Sequence, residues 1–142
     1  MRNRDIELDI KVPNQTRYLS LIGRIGEDIA REIDRFSGDR ETLAYQINLV
    51  LTEAMTNAIK YGNSDCSDNC VHILINIAEN ELLIRIFDFG QGFDINEVQS
   101  PDFNQLEDRG RGIFLIREIM DSVTYIRNGD NGNVLEMIKQ LD

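Results

Sequence analysis

The sequence predicts an α/β two-layer sandwich, a mostly antiparallel mixed sheet covered on one face by about three helices. Three observations predict it. Short runs alternate apolar and polar residues with the period of two expected of a half-buried strand. Longer stretches repeat apolar residues at helical spacing. Their order is strand, two helices, two strands, long loop, helix, two strands, which groups helices against a mainly antiparallel sheet. At 142 residues the chain fits one domain, 1–142, with a single core.

Taken in order, Ile6, Leu8, Ile10 and Val12 point one way and Glu7, Asp9 and Lys11 the other, a strand ended by Pro13. Asn14 or Thr16 is placed to cap a helix in which Leu19, Ile22, Ile25, Ile29 and Ile33 recur. Ser37-Gly38-Asp39 breaks it. A second helix is expected from about Glu41 to Tyr61, its stripe formed by Leu43, Ile47, Val50, Leu51, Ala54, Ala58 and Ile59, with Gly62 as a left-handed end. Val71–Ile77 and Leu82–Phe87 read as strands joined by Ala78-Glu79-Asn80-Glu81. Residues 90–112 show little periodicity, and so long a loop in a compact domain is usually functional; 93–109 reads as a lid. A third helix runs from roughly Ile113 to Met120. Val123–Arg127 and Asn133–Ile138 close the chain as a hairpin around Asn128-Gly129-Asp130-Asn131-Gly132.

Composition narrows the function. Hydrophobic content of 42% and charged content of 28% are those of an ordinary globular protein. No run of eighteen apolar residues exists, and Met1-Arg2-Asn3-Arg4-Asp5 leads straight into mixed sequence, so neither a membrane span nor a secretory signal is expected. A cytoplasmic location follows as the expectation. The net charge of −10 repels phosphate backbones, which argues against nucleic acid as a partner. An anionic small ligand would need local help from a metal, backbone N–H groups and arginines. Cys66, Cys70 and His72 offer at most three zinc ligands where a structural site takes four, so two ordinary thiols are the simpler reading.

Three segments carry chemistry. Glu53 and Asn57 stand four apart on one helix face. They form either a plain surface pair or a hard-metal ligand, the Asn57 oxygen, beside a base, Glu53. Asp88-Phe89-Gly90-Gln91-Gly92 follows a buried strand. A carboxylate there can accept from an exocyclic amine such as that of adenine, and the glycines let backbone pass close beneath a planar ring; a tight turn is the bland alternative. Gly110-Arg111-Gly112 opens a helix whose first N–H groups suit phosphate, with Arg109 and Arg111 at hand, unless it is merely a flexible helix start. Ala58-Ile59-Lys60 and Asp88-Phe89-Gly90 mimic motifs of the large protein kinases. The lysine here falls on a helix, and no H-R-D loop accompanies it.

In order, E-x3-N-A-x2-Y-G (Glu53 to Gly62), D-x-G-x-G (Asp88 to Gly92) and G-x-G-x2-L (Gly110 to Leu115) resemble the three nucleotide boxes of the GHKL ATPase superfamily. Glu53-Ala54-Met55-Thr56-Asn57-Ala58 and Gly112-Ile113-Phe114-Leu115-Ile116 leading to Met120-Asp121 look most like the small anti-sigma factor serine/threonine kinases of the RsbW and SpoIIAB type. The resemblance implies the Bergerat ATP-binding fold, ATP and Mg2+ as cofactors, and a small antagonist protein as phosphorylation substrate. A sigma factor or other regulator is the further partner. A homodimer is compatible with it, without any indication of the face used.

Residue by residue, it implies magnesium on Asn57 and proton abstraction by Glu53. Asp88 would bond the adenine amine, with Gly90 and Gly92 beside the ring. Gly110, Gly112 and Ile113 would hold phosphate at the helix start, and Lys60 would help neutralise it. Two departures stand out. Relatives often carry one arginine before the second glycine box, a role open here to Arg109 or Arg111. They also often begin the last strand with Gly-Thr, where this chain has Gly132-Asn133. A nucleotide-gated binding protein without phosphotransfer is the alternative, and slow ATP hydrolysis driving lid motion a third.

Overall fold

The computed structural model describes residues 5–34, 36–61, 70–88, 111–127 and 132–142. Strand β1 (Ile6–Pro13) leads through a single 3-10 turn (Thr16–Tyr18) into α1 (Leu19–Arg31), followed by α2 (Arg40–Tyr61). Strands β2 (Cys70–Ala78) and β3 (Glu81–Asp88), helix α3 (Arg111–Ile119), and strands β4 (Ser122–Arg127) and β5 (Asn133–Gln140) complete the order. The expected elements are all present. The expected cap is not: the N-cap of α1 is Tyr18, with no side-chain capping bond, because the 3-10 turn displaces Asn14 and Thr16 from the cap position.

The five strands form one sheet in the order β1-β2-β3-β5-β4, antiparallel at all four described pairings. Period-two alternation sends Val71, Ile73, Ile75 and Ile77 of β2 and Leu82, Ile84 and Ile86 of β3 inward, where they meet Leu135 and Met137 of β5. The helices cover this face, adding Ile22, Leu43, Ile47, Leu51, Met55, Ile113 and Ile116 to one continuous core. Glu79 turns β2 into β3 with a φ of 57°, and Gly132 enters β5 at 88°. No helix among the described residues is long and apolar enough to cross a membrane.

Two anchors orient α2. Asp39 caps it: its Oδ2 accepts from the Thr42 amide at 3.2 Å and the Thr42 hydroxyl at 2.7 Å, and the hydroxyl bond above all holds the Asp39 carboxyl below the usual range. The preceding Ser37 amide donates to the Leu141 carbonyl at 3.2 Å, while the Leu141 amide donates to Asn80 at 2.8 Å. The start of α2 is therefore tied to the end of the sheet where β3 begins. Its 22 residues span roughly 33 Å at about 1.5 Å per residue. That carries its C-terminal turns, with Glu53, Asn57 and Lys60, towards the opposite end, where β3 finishes at Asp88 and β5 starts at Asn133.

Helices α1 and α2 approach closely at Gly26. A Cβ there would lie 2.5 Å from Leu51 Cδ1, 3.0 Å from Ile47 Cγ2 and 3.3 Å from the Ile47 carbonyl. Leu51 and Ile47 are themselves core residues with little room to yield. Gly26→Val is expected to lower stability by about 1–3 kcal/mol despite its better helix propensity, read as a reduced denaturant midpoint. An unchanged midpoint would show that the interface is looser than this packing.

Candidate functional site

Helix α2 buries Ala54, Met55 and Ala58 against the sheet and leaves Thr52, Glu53, Thr56 and Asn57 half-buried on its other side. The hydroxyls are held within the helix: Thr52 donates to Asn48 Oδ1 at 3.1 Å, and Thr56 to the Thr52 carbonyl at 2.7 Å. Glu53 and Asn57 stand one turn apart on this surface, as the spacing requires.

The first turn of α3 meets them there. A Cβ on Gly112 would lie 2.8 Å from Glu53 Oε2, 3.5 Å from Glu53 Cβ and 3.5 Å from Asn57 Nδ2. Glycine at 112 is thus a requirement of close approach. The contact also places a carboxylate beside the N-terminal turn of a helix, where unsatisfied N–H groups carry partial positive charge. Asn57 Nδ2 is buried and has no hydrogen-bond partner among the described residues. An orphaned donor of this kind costs about 1–3 kcal/mol unless something occupies the site. The side-chain oxygen of the same amide is a hard donor of the type magnesium takes alongside phosphate oxygens. The residues present therefore fit a magnesium–nucleotide pair.

At the end of β3, Asp88 lies on the helix-facing side of the sheet and is buried to 7% exposure. Its register partner is Asn133 of β5, 2% exposed, whose Nδ2 donates to Asp88 Oδ1 at 2.9 Å. Sequence reasoning marked Asn133 only as a departure from the resembled pattern and missed it as a neighbour of Asp88. What sets it there is the β3–β5 register, which places the first residue of the last strand opposite the last residue of β3, a long-range pairing that no local pattern carries.

Other expected site residues divide clearly. Lys60 is exposed in the last turn of α2, where a cation suits the helix C-terminus. Arg111 is the first residue of α3. Ile113 is buried at 2% exposure, so its side chain belongs to the core and only its backbone faces the helix start. Gly90, Gly92, Arg109 and Gly110 lie outside the described residues, as do Gly62, Cys66 and the lid at 93–109. Cys70 is a free, half-buried thiol. His72 pairs through Nε2 with Asp9 Oδ1 and stacks on Phe87 at 5.1 Å, and the described residues hold no cluster of three metal-ligating groups.

Comparison with known proteins follows the same lines. Residues 12–139 match the sequence pattern of the family described as "Histidine kinase-like ATPase domain". A serine-protein kinase RsbW from Staphylococcus aureus is 27% identical over 150 aligned residues, covering 99% of this chain and 91% of the relative. An anti-sigma F factor from Bacillus velezensis is 31% identical over 100 residues, covering 68% of each. Among solved structures, the histidine kinase domain of a blue-light activated histidine kinase from Erythrobacter litoralis superposes with a TM-score of 0.54 at 19% identity. That likeness covers 92% of this chain and 62% of the other, and shows the fold.

The close approach at Gly112 makes its own prediction. A methyl group there must displace the Glu53 carboxylate, the movable end of a flexible side chain, so the fold should survive, and it adds bulk beside the Asn57 amide where a phosphate would sit at the α3 start. Gly112→Ala is expected to weaken ATP binding on the order of tenfold, about 1.4 kcal/mol by titration calorimetry, while leaving the circular dichroism spectrum unchanged. Undiminished binding would remove the α3 start from the site.

Proposed function

Because the chain belongs to the histidine kinase-like ATPase domain family, we propose that it is a cytoplasmic, ATP- and Mg2+-dependent serine/threonine kinase of the partner-switching kind. It phosphorylates a small antagonist protein and sequesters a sigma factor or another regulator. The observation that carries this reading is the meeting of Glu53, Asn57 and Gly112 at the first turn of α3. The relatives named serine-protein kinase and anti-sigma F factor support the class of reaction and partner.

In this reading Asn57 holds Mg2+ through Oδ1, and the ion supplies charge neutralisation at the phosphates when bound. The N–H groups at the start of α3 donate to the phosphate oxygens, with Lys60 and Arg109 or Arg111 adding positive charge. Asp88 accepts a bond from the adenine amine, and Gly90 and Gly92 let the ring approach the backbone. Glu53 takes the proton of the attacking serine or threonine hydroxyl as its oxygen bonds the γ-phosphorus and ADP leaves. General-base help of this kind contributes about 10²–10⁴-fold.

Labelled ATP, the chain and its antagonist test this directly. Glu53→Ala should lose about 10²–10⁴-fold in phosphate transfer while retaining ATP affinity, whereas Asn57→Ala should lose Mg2+–ATP binding itself. Transfer by Glu53→Ala at the wild-type rate would sink the kinase reading. Complex formation that needs ATP and Asn57 but never labels the partner would favour nucleotide-gated binding instead.

The proposed assembly is a homodimer. Its support is the sheet face turned away from the helices, where Leu74, Leu83, Phe87, Val134 and Ile138 are half-buried and Ile126 is exposed. These apolar side chains surround the Arg85–Glu136 ion pair, 2.7 Å, and together they form the face assigned to the second copy. Leu83→Arg is expected to convert a sedimenting dimer to monomer at micromolar concentration. A wild-type chain already monomeric there would refute the dimer.

A further inference from the structure

The buried Asp88–Asn133 pair lies on the core face of the sheet, in line with Ile84, Ile86, Leu135 and Met137. Apart from this pair, the buried residues of the described chain are apolar. Two polar side chains at such a place cost stability unless each satisfies the other, and a donor reaching a carboxylate makes a charge-assisted bond. An aspartate carboxyl turns easily about its terminal torsion, which is broad and roughly two-fold. A fixed donor at one oxygen removes that freedom. The donor here is Asn133 Nδ2, 2.9 Å from Asp88 Oδ1, held opposite by the β3–β5 register.

We propose that Asn133 is the positioning residue for purine recognition, its side-chain amide fixing the Asp88 carboxylate in the plane that accepts the 6-amino group. This rests on the reading of Asp88 as the nucleobase carboxylate. An ionised carboxylate is acceptor-only and has lone pairs for more than one donor, so it can take the Asn133 amide and a purine amine together. It has nothing to offer a 6-oxo group. Discrimination for adenine over guanine then depends on the Asp88 carboxylate being held still, and Asn133 does the holding. Because the amide reaches from the first residue of β5, the strand pairing itself aims the base-reading group. The expected effect of losing it is confined to ligands that carry the amine.

The test compares ATP with purine riboside 5′-triphosphate, which lacks only the 6-amino group, binding each to the full chain by calorimetry. Wild type is expected to prefer ATP at least tenfold, and Asp88→Asn to abolish that preference. Asn133→Ala and the similarly sized Asn133→Leu should reduce the preference at least fivefold, almost wholly through weaker ATP binding. If wild type shows no preference, the reading of Asp88 falls and the role of Asn133 with it. If Asp88→Asn loses the preference but both Asn133 variants weaken the two ligands equally, the base site stands and Asn133 is merely structural. Should neither variant fold, wild-type nitrogen NMR decides. The Asn133 side-chain amide signals should move more with ATP than with the desamino nucleotide, and equal movement overturns the proposal.

Discussion

The site is organised by how closely the start of α3 can lie on α2. Two helices normally stand 8–10 Å apart, separated by the side chains between them. At Gly112 only the α2 side chains fill that gap, and the first α3 turn comes down onto the Glu53 carboxylate and the Asn57 amide. Several properties follow from that single contact. The first N–H groups of α3, which an α-helix leaves without intrahelical partners, lie in the turn that meets Glu53 and Asn57. The buried Asn57 nitrogen finds no protein partner there among the described residues. Ile113 and Ile116, next on α3, are drawn into the core and lock the turn in place.

The remainder of the fold serves to bring that contact to the correct end of the sheet. Asp39 starts α2, and the Ser37–Leu141–Asn80 bonds fasten that start to the far end of β3. The helix then runs about the length of the strands, which carries its polar C-terminal turns towards the end of the sheet that holds Asp88 and Asn133. Gly26 lets α1 brace α2 along the way. The Asp88–Asn133 pair and the Glu53–Asn57–Gly112 contact are thus held by different elements whose separation is set by rigid parts. That arrangement suits an extended ligand such as a nucleoside triphosphate.

Much of this was legible in the residues. The strands and helices follow from period-two and period-3.6 patterns, because each element buries a single face; the alternation Leu82, Ile84, Ile86 is the clearest case. The pairing of Glu53 with Asn57 follows from helix geometry alone. What the pattern could not give was anything set by packing between distant segments. Asn14 and Thr16 have the chemistry of helix caps, yet a 3-10 turn takes the chain past them before α1 begins. Gly112 looked like a flexible hinge or a phosphate cradle, and its steric role appears only once Glu53, 59 positions earlier, is seen beside it.

Asn133 is the instructive failure. From sequence it is one polar residue after a glycine, in a place where a hydroxyl would look more familiar, and it reads as an erosion of the site. In the fold it is nearly as inaccessible as the isoleucines around it and bonds the only other buried polar side chain of the described chain. A substitution that merely weakened a site would leave an unsatisfied group behind, and a buried orphan there would cost about 1–3 kcal/mol. Instead the longer amide reaches the carboxylate directly. The departure is therefore better understood as a different way of holding the same acceptor: one strand supplies the charge and its neighbour in the ladder supplies the donor that keeps it aimed.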